Sequence, residues 1–440
     1  MAKRSKKLEE LSKMFDDNID FEKINENEIN QFIGIMKKVE DNRYQPNIKH
    51  LVSDILIITL FALMAKATEW TEIELVGKRH EKWFKNYLEL PYGIPSHDTI
   101  QRVVSMIDSQ KLHDLCIKHL IEIINIYVPK TETEKDVISL DGKTTNGSSR
   151  SALTTKKIRP VNTMSVYSHN YGLSLNQEYI GEKENEIKYG PKLLELFDLK
   201  NCIVTADALN TQKETVKTVI KQKGDYVFAI KGNQHNFYKN IKEYFNDEDL
   251  IKTIKDENTF KETEKSHSKI INRKYMMTNN INWLDEKDKW EGLKSIGIEI
   301  KTIESINTGE TTIEKRYYLI SFENDIDNFK DAVRKHWGIE NNLHAPLDIV
   351  FKEDSNKTLE KNGAKNLGIL RRIALSIFKI VKTYYKISMK LISLTLAHDF
   401  ENEMENIFKL LNANAVKQLK KQINFKNLCV YPVFKFRFYD

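Results

Sequence analysis

The first sustained apolar text lies between Ile55 and Ala65, after the polar opening His50-Leu-Val-Ser-Asp54, and it reads as a buried helix. A second helical pattern runs from about Trp70 to Tyr87 and stops before Pro91. Pro95 and Ser96 then precede a further helix, with Ser96 placed as its N-cap and Asp98 and Thr99 in its first turn. Residues 41–130 therefore read as a small all-helical domain. Residues 1–40 are charged with mixed sign and no strong periodic face, a polar lead-in to which no function attaches.

Beyond a charged linker, the pattern shortens to strand-like runs: Val137 to Asp141, then Val161 to Ser168 and Leu173 to Ile180 joined by His169-Asn-Tyr-Gly172, which reads as a hairpin. A helix around Pro191 to Phe197, a buried strand Asn201 to Asp207, a helix Thr211 to Lys223 with Gly224 at its C-cap, and a strand Asp225 to Ile230 complete the order β-β-β-α-β-α-β. This predicts an α/β fold, a mixed sheet with flanking helices, in the core order of ribonuclease-H-like nucleases. Alternating short runs predict a β-rich insertion over about 235–325. Asp325 to Ala345 reads as a helix ended or kinked by Pro346, and Asn366 to Ala397 as one long helix with its apolar stripe at Leu370, Ile373, Ala374, Ile377 and Val381. The catalytic unit is thus expected over 136–380 and a basic helical tail over 381–440.

Composition narrows the class. With 440 residues, 40% apolar and 30% charged, the chain is an ordinary folded protein of two or three domains. Cys116, Cys202 and Cys429 form no C-x-x-C pair, which excludes a disulfide framework and a cysteine zinc site. No apolar run approaches the ~18 residues a membrane span needs, and the N-terminus lacks a signal core, so a cytoplasmic protein is expected. Net charge is +6, yet residues 371–440 hold thirteen Lys/Arg against five Asp/Glu, so the excess sits in the tail. That fits a solvated helix face and nucleic-acid contact equally.

Two aspartates, Asp141 and Asp207, stand at the carboxyl ends of apolar runs, where open α/β sheets bind ligands. Helical spacing puts His336, Trp337, Glu340 and His344 along one face. Carboxylates from three separate elements suit hard divalent cations such as Mg²⁺ or Mn²⁺, and two such ions would serve phosphodiester chemistry. Plainer roles fit each position alone: Asp141-Gly142 as a turn, Asp207 as a helix cap, Glu340 as a solvated carboxylate. Lys143 and Lys231, just beyond two strand ends, suit phosphate binding or are plain loop lysines, and Trp337 suits packing better than base stacking.

The blocks Asp41-Asn-Arg43, Trp70-Thr-Glu-Ile73, Gly93-Ile-Pro-Ser-His-Asp-Thr99, Leu140-Asp-Gly-Lys143, Lys183 with Asn185-Glu-Ile187, Val204-Thr-Ala-Asp-Ala208, Lys231-Gly-Asn-Gln234 and His336-Trp-Gly-Ile-Glu-Asn341 follow one another in an order that resembles the DDE transposases of bacterial insertion sequences. Within them it looks like the ISAs group, which carries a transposase-associated N-terminal domain. The resemblance runs from about Asp41 to Lys379. It implies a ribonuclease-H-like core and Asp141, Asp207 and Glu340 as catalytic and metal-binding triad for two Mg²⁺, with Mn²⁺ as substitute. It implies DNA contacts from Lys143, Lys231, Asn233, Arg334, His336, Asn341 and His344. It also implies cleavage of inverted-repeat ends, joining of the 3′-hydroxyl to target DNA, and a homodimer or larger assembly on DNA at the bacterial nucleoid. A nuclease without strand joining and an inactive DNA-binding relative are the alternatives. Related families carry Tyr, Arg and Lys where this chain has Val333, His336 and Leu347, and Ala345-Pro346 follows His344 in place of an aromatic.

Overall fold

A computed structural model describes residues 30–127, 135–148, 160–180, 186–266, 268–385 and 387–411. Lys183, Asn185, Cys429 and the ends of the expected lead-in and tail lie outside these residues. The helical part comprises α1 (Asn30–Met36), α2 (Val52–Met64), α3 (Trp70–Arg79), α4 (Glu81–Phe84), α5 (His97–Met106) and α6 (Ser109–Tyr127). Every residue of α2 is buried, as an all-round apolar helix requires, and Phe32, Ile33 and Met36 of α1 are buried in the same core. The lead-in thus becomes core from α1 onward. Ser96 caps α5 as its position predicts, its Oγ accepting from the Thr99 amide.

The sheet strands are β1 (Asp136–Thr145), β2 (Val161–Ser168), β3 (Leu173–Ile180), β4 (Cys202–Ala206) and β5 (Asp225–Ile230), with α7 (Tyr189–Leu194) before β4 and α8 (Lys213–Lys221) after it. The turn after α8 places Lys223, not Gly224, at positive φ. Gly224 is needed for space instead, since an added Cβ would lie 2.8 Å from Leu199 Cβ. Next come α9 (His235–Tyr244), α10 (Glu248–Lys252), β6 (Thr259–Ser266), β7 (Lys269–Thr278), β8 (Ser295–Ser305) and β9 (Thr311–Ile320). The strands of this β-rich region extend the main sheet: β9 pairs with β5, giving the nine-stranded order β3-β2-β1-β4-β5-β9-β8-β7-β6. Antiparallel β1–β2–β3 and parallel β1–β4–β5 reproduce the ribonuclease-H-like order expected from the sequence.

After β9 come α11 (Ile326–Ile339), a π-helical turn (Glu340–His344), α12 (Ala345–Ile349), α13 (Lys361–Tyr385), α14 (Met389–His398) and α15 (Phe400–Leu410). The expected long helix is split because Ser388 caps α14, its Oγ accepting from the Leu391 amide. The apolar stripe of α13 packs into the same core as α2, α5 and α6. The helices beyond residue 381 also fold back: Phe408 of α15 meets the Phe61 ring at 4.8 Å between centroids and stacks near Trp83. No helix among the described residues is long and apolar enough to cross a membrane.

Alternation along the central strands separates two faces. Ile138, Leu140, Val204, Ala206 and Phe228 join the large core, whereas Val137, Ile203 and Val227 pack beneath Phe329, Ala332 and Val333 of α11. Two steps along, on the α11 face, the sequence turns polar: Ser139 then Asp141 on β1, Thr205 then Asp207 at the end of β4. That switch positions the site.

Candidate active site

Asp141 is not at a strand end. β1 continues to Thr145 because its far half stays paired with β2, Asp141 facing Ser165, while its pairing with β4 stops at Leu140 and Ala206. The β1–β4 ladder therefore ends one residue before Asp141 and Asp207, and both aspartates are partly exposed there. Asp207 is held from its own loop, its Oδ1 accepting from the Asn210 amide at 3.0 Å and from Asn210 Nδ2 at 2.9 Å. Asp141, 24% exposed, pairs through Oδ2 with Nε2 of the buried His344 at 2.9 Å.

A third carboxyl group enters from the turn before α7. A Cβ at Gly142 would stand 2.2 Å from Glu186 Oε1, so only glycine lets Glu186 approach β1 this closely. Asn210 Nδ2 also reaches Glu186 Oε1, at 3.3 Å. Burial pushes the Glu186 carboxyl upward in pKa, the Asn210 hydrogen bond opposes this, and the negative charges of Asp207 and Asp141 add to the rise. In the sequence Glu186 stands only within the block Asn185-Glu-Ile187, to which no role attaches.

Glu340 opens the π turn that continues α11. The turn's five-residue spacing is visible in the Ala345 amide donating to the Glu340 carbonyl. Its physical origin is Pro346: in a continuous α-helix the proline ring would press on the carbonyl of residue 342, and the wider turn relieves that clash. The helical path thus does not end at Pro346 but runs through the π turn into α12. Glu340 is exposed, and no hydrogen bond or ion pair joins it to Asp141 or Asp207 among the described residues. Its helix neighbours do reach the strands: His344 touches Asp141, and His336 Nδ1 lies 3.0 Å from Thr205 Oγ1. Burial lowers the His336 pKa, against the pull of the Asp141 and Asp207 charges, while Arg316 lowers it further.

The residues expected to meet DNA separate into groups. Lys143 is 8% exposed and committed to Asp348 at 2.7 Å, with Asp354 and Glu353 behind, so burial and ion pairing withdraw its ammonium from any phosphate. Asn233 donates to the Ala208 carbonyl at 2.6 Å, tying its loop to the Asp207 loop. Arg334 reaches Glu264 and Glu262 of β6. His336 and His344 face inward to Thr205 and Asp141. Lys231 and Asn341 are exposed, and Trp337, half exposed, carries the Arg316 guanidinium 4.2 Å above its ring.

Asp141, Asp207 and Glu186 concentrate negative charge, and no lysine or arginine pairs with them among the described residues. That oxygen-rich, uncompensated donor set fits a hard divalent cation. The side chains are not closed around one: among the described residues no three His, Cys, Asp or Glu side chains stand close enough together to hold an ion.

Comparison with known proteins gives consistent matches. The family model described as "Transposase DDE domain" matches residues 132–377, and the "DDE_Tnp_1-associated" model matches residues 33–120. The "H repeat-associated putative transposase YhhI" of Escherichia coli K12 is 32% identical over 360 residues, 81% of this chain and 92% of that protein. The "Putative transposase YncI" of Escherichia coli O157:H7 is 32% identical over 356 residues, 80% of this chain and 88% of that protein. A solved piggyBac transposase synaptic complex with hairpin DNA aligns over 96% of this chain and 86% of its own, at 9% identity and a TM-score of 0.36.

Proposed function

Because the chain belongs to the DDE transposase family, and so is a DNA transposase of the polynucleotidyl-transferase class, we propose that it cuts the inverted-repeat ends of an insertion sequence and joins them to target DNA through a site built on Asp141, Asp207 and Glu340. The observation that carries this reading is the side-by-side emergence of Asp141 and Asp207 where β1 and β4 part, beneath the helix that bears Glu340.

The family works with divalent metal ions. Asp141 and Asp207, joined by Glu340, would hold Mg²⁺, with Mn²⁺ as a probe in its place, and bound ions would neutralise developing phosphate charge and acidify an attacking water. In the first reaction water attacks the phosphorus, the P–O3′ bond breaks, and a 3′-hydroxyl and a 5′-phosphate result. In the second that 3′-hydroxyl attacks a target phosphodiester, a new P–O3′ bond forms, and the target's own 3′-hydroxyl leaves. His344 holds Asp141 and Asn210 holds Asp207 in place before either reaction. Two ends must be paired before joining, so the acting species is a homodimer or larger assembly on DNA at the nucleoid.

The test is incubation of the full chain with Mg²⁺ and duplexes carrying the repeats that flank its gene. Joined products that vanish in Asp207→Ala support the reading. Nicks without joined products would indicate a nuclease, and DNA binding with no cleavage an inactive relative.

A further inference from the structure

One polar chain crosses the sheet beside the aspartates and belongs to neither of them. His169 Nε2 lies 2.8 Å from Ser139 Oγ, Ser139 Oγ 3.0 Å from Thr205 Oγ1, and Thr205 Oγ1 3.0 Å from His336 Nδ1. Ser139 and Thr205 are direct register partners on β1 and β4, and both are fully buried. One step earlier on this face, Val137, Ile203 and Val227 pack under α11 with apolar side chains alone. Two buried hydroxyls in that setting cost stability unless hydrogen-bonded, so packing does not call for them. Their bonds run to the helix: His336 is one turn before Glu340. α11 also comes close at Gly338, where a Cβ would lie 3.4 Å from His169 Cε1. The chain thus bonds α11 through His336 on Thr205, and its other end, His169, lies beneath Gly338 with no room to spare for a larger side chain.

We propose that Ser139 and Thr205 are positioning residues: their linked hydroxyls clip β1 to β4 two residues below the aspartates, on the same face, and, through His336, fix α11 at the height from which Glu340 can join Asp141 and Asp207. This assigns His336 an inward, helix-locating role in place of a DNA contact. The inference rests on the site reading above.

The test uses the full chain and Mn²⁺ alone, with bound ion counted by the loss of the free Mn²⁺ paramagnetic signal, together with amide hydrogen exchange over residues 326–344. Thr205→Val keeps the shape and removes the hydroxyl; it should weaken Asp207-dependent Mn²⁺ uptake by about 10-fold or more and speed exchange around residues 336–344. Thr205→Ser, which restores the hydroxyl, should recover both. Glu340→Gln should weaken uptake in the parent and add nothing in Thr205→Val, because Glu340 is already out of place there. Unchanged uptake and unchanged exchange in Thr205→Val overturn the proposal. If the parent takes up no Asp207-dependent Mn²⁺, the metal-site reading fails by itself, and the exchange data alone decide: unchanged protection overturns the positioning role, and selective loss restored by Thr205→Ser sustains it.

Discussion

Asp54 should make the helical part of the protein sensitive to pH in a calculable way. It lies in the first turn of α2, fully buried, with Oδ1 accepting from Ser53 Oγ at 3.3 Å and Oδ2 without a hydrogen-bond partner. Burial raises its carboxyl from 3.8 to about 6, against the Ser53 bond. The folded state therefore holds this proton more tightly than the unfolded chain. The associated stability is fully present below the unfolded value near 3.8 and is lost as pH rises through about 6. A shift of about two units corresponds to ~3 kcal/mol between the ends of that window. Asp54→Asn removes the titration, so its stability relative to the parent should rise between pH 4 and pH 8 by ~3 kcal/mol, and flatten above about pH 7. Urea unfolding of both proteins at several pH values measures the difference. A difference that stays constant with pH, or falls, would refute the burial argument.

Other perturbations test the framework that carries the site. Arg372 and Glu353 form a buried pair at 2.7 Å, 3% and 2% exposed, so Arg372→Met or Glu353→Gln alone should cost ~3–5 kcal/mol while the double change costs less than their sum, read by urea unfolding. Gly297→Ala would put a Cβ 2.6 Å from the Phe329 ring, lifting α11 from β8; ~1–3 kcal/mol of destabilisation is expected in the same assay, with faster hydrogen exchange in α11. Phe408→Ala removes a ring packed on Phe61, Trp83 and Tyr87 and should cost ~3–5 kcal/mol, lowering the thermal midpoint measured by calorimetry, whereas a truly detached tail would tolerate the change.

The parts of the fold written in short-range pattern were legible. The alternation of Val137 to Asp141, the hairpin about Gly172 and the Ser96 cap all appear where the sequence puts them, because each depends on neighbours a few residues away. That both aspartates follow apolar runs was legible in the sequence, but their standing side by side was not, because it depends on β1 and β4 pairing across 66 residues. What the sequence did not reveal depends on distant partners. β1 outruns Asp141 because β2 continues beside it, the β-rich region joins the main sheet because β9 finds β5, and residues 387–411 are core because Phe61 and Trp83 await them. Lys143 reads as a free cation until Asp348 is placed against it. Glu186 had one usable signal, the glycine at 142, whose missing side chain marks a close approach without naming what approaches. The hydroxyls Ser139 and Thr205, each two residues before an aspartate on an otherwise apolar strand, were a signal of the same kind.

The proposed chemistry requires Asp141, Asp207 and Glu340 to converge on divalent ions. Anomalous diffraction from crystals of the full chain grown with Mn²⁺ and bound DNA tests it most directly. Manganese peaks are expected about 2.1 Å from oxygens of Asp141 and Asp207, with Glu340 turned in to share an ion. Peaks absent from beside those aspartates, or present with Glu340 still facing solvent, would contradict that convergence.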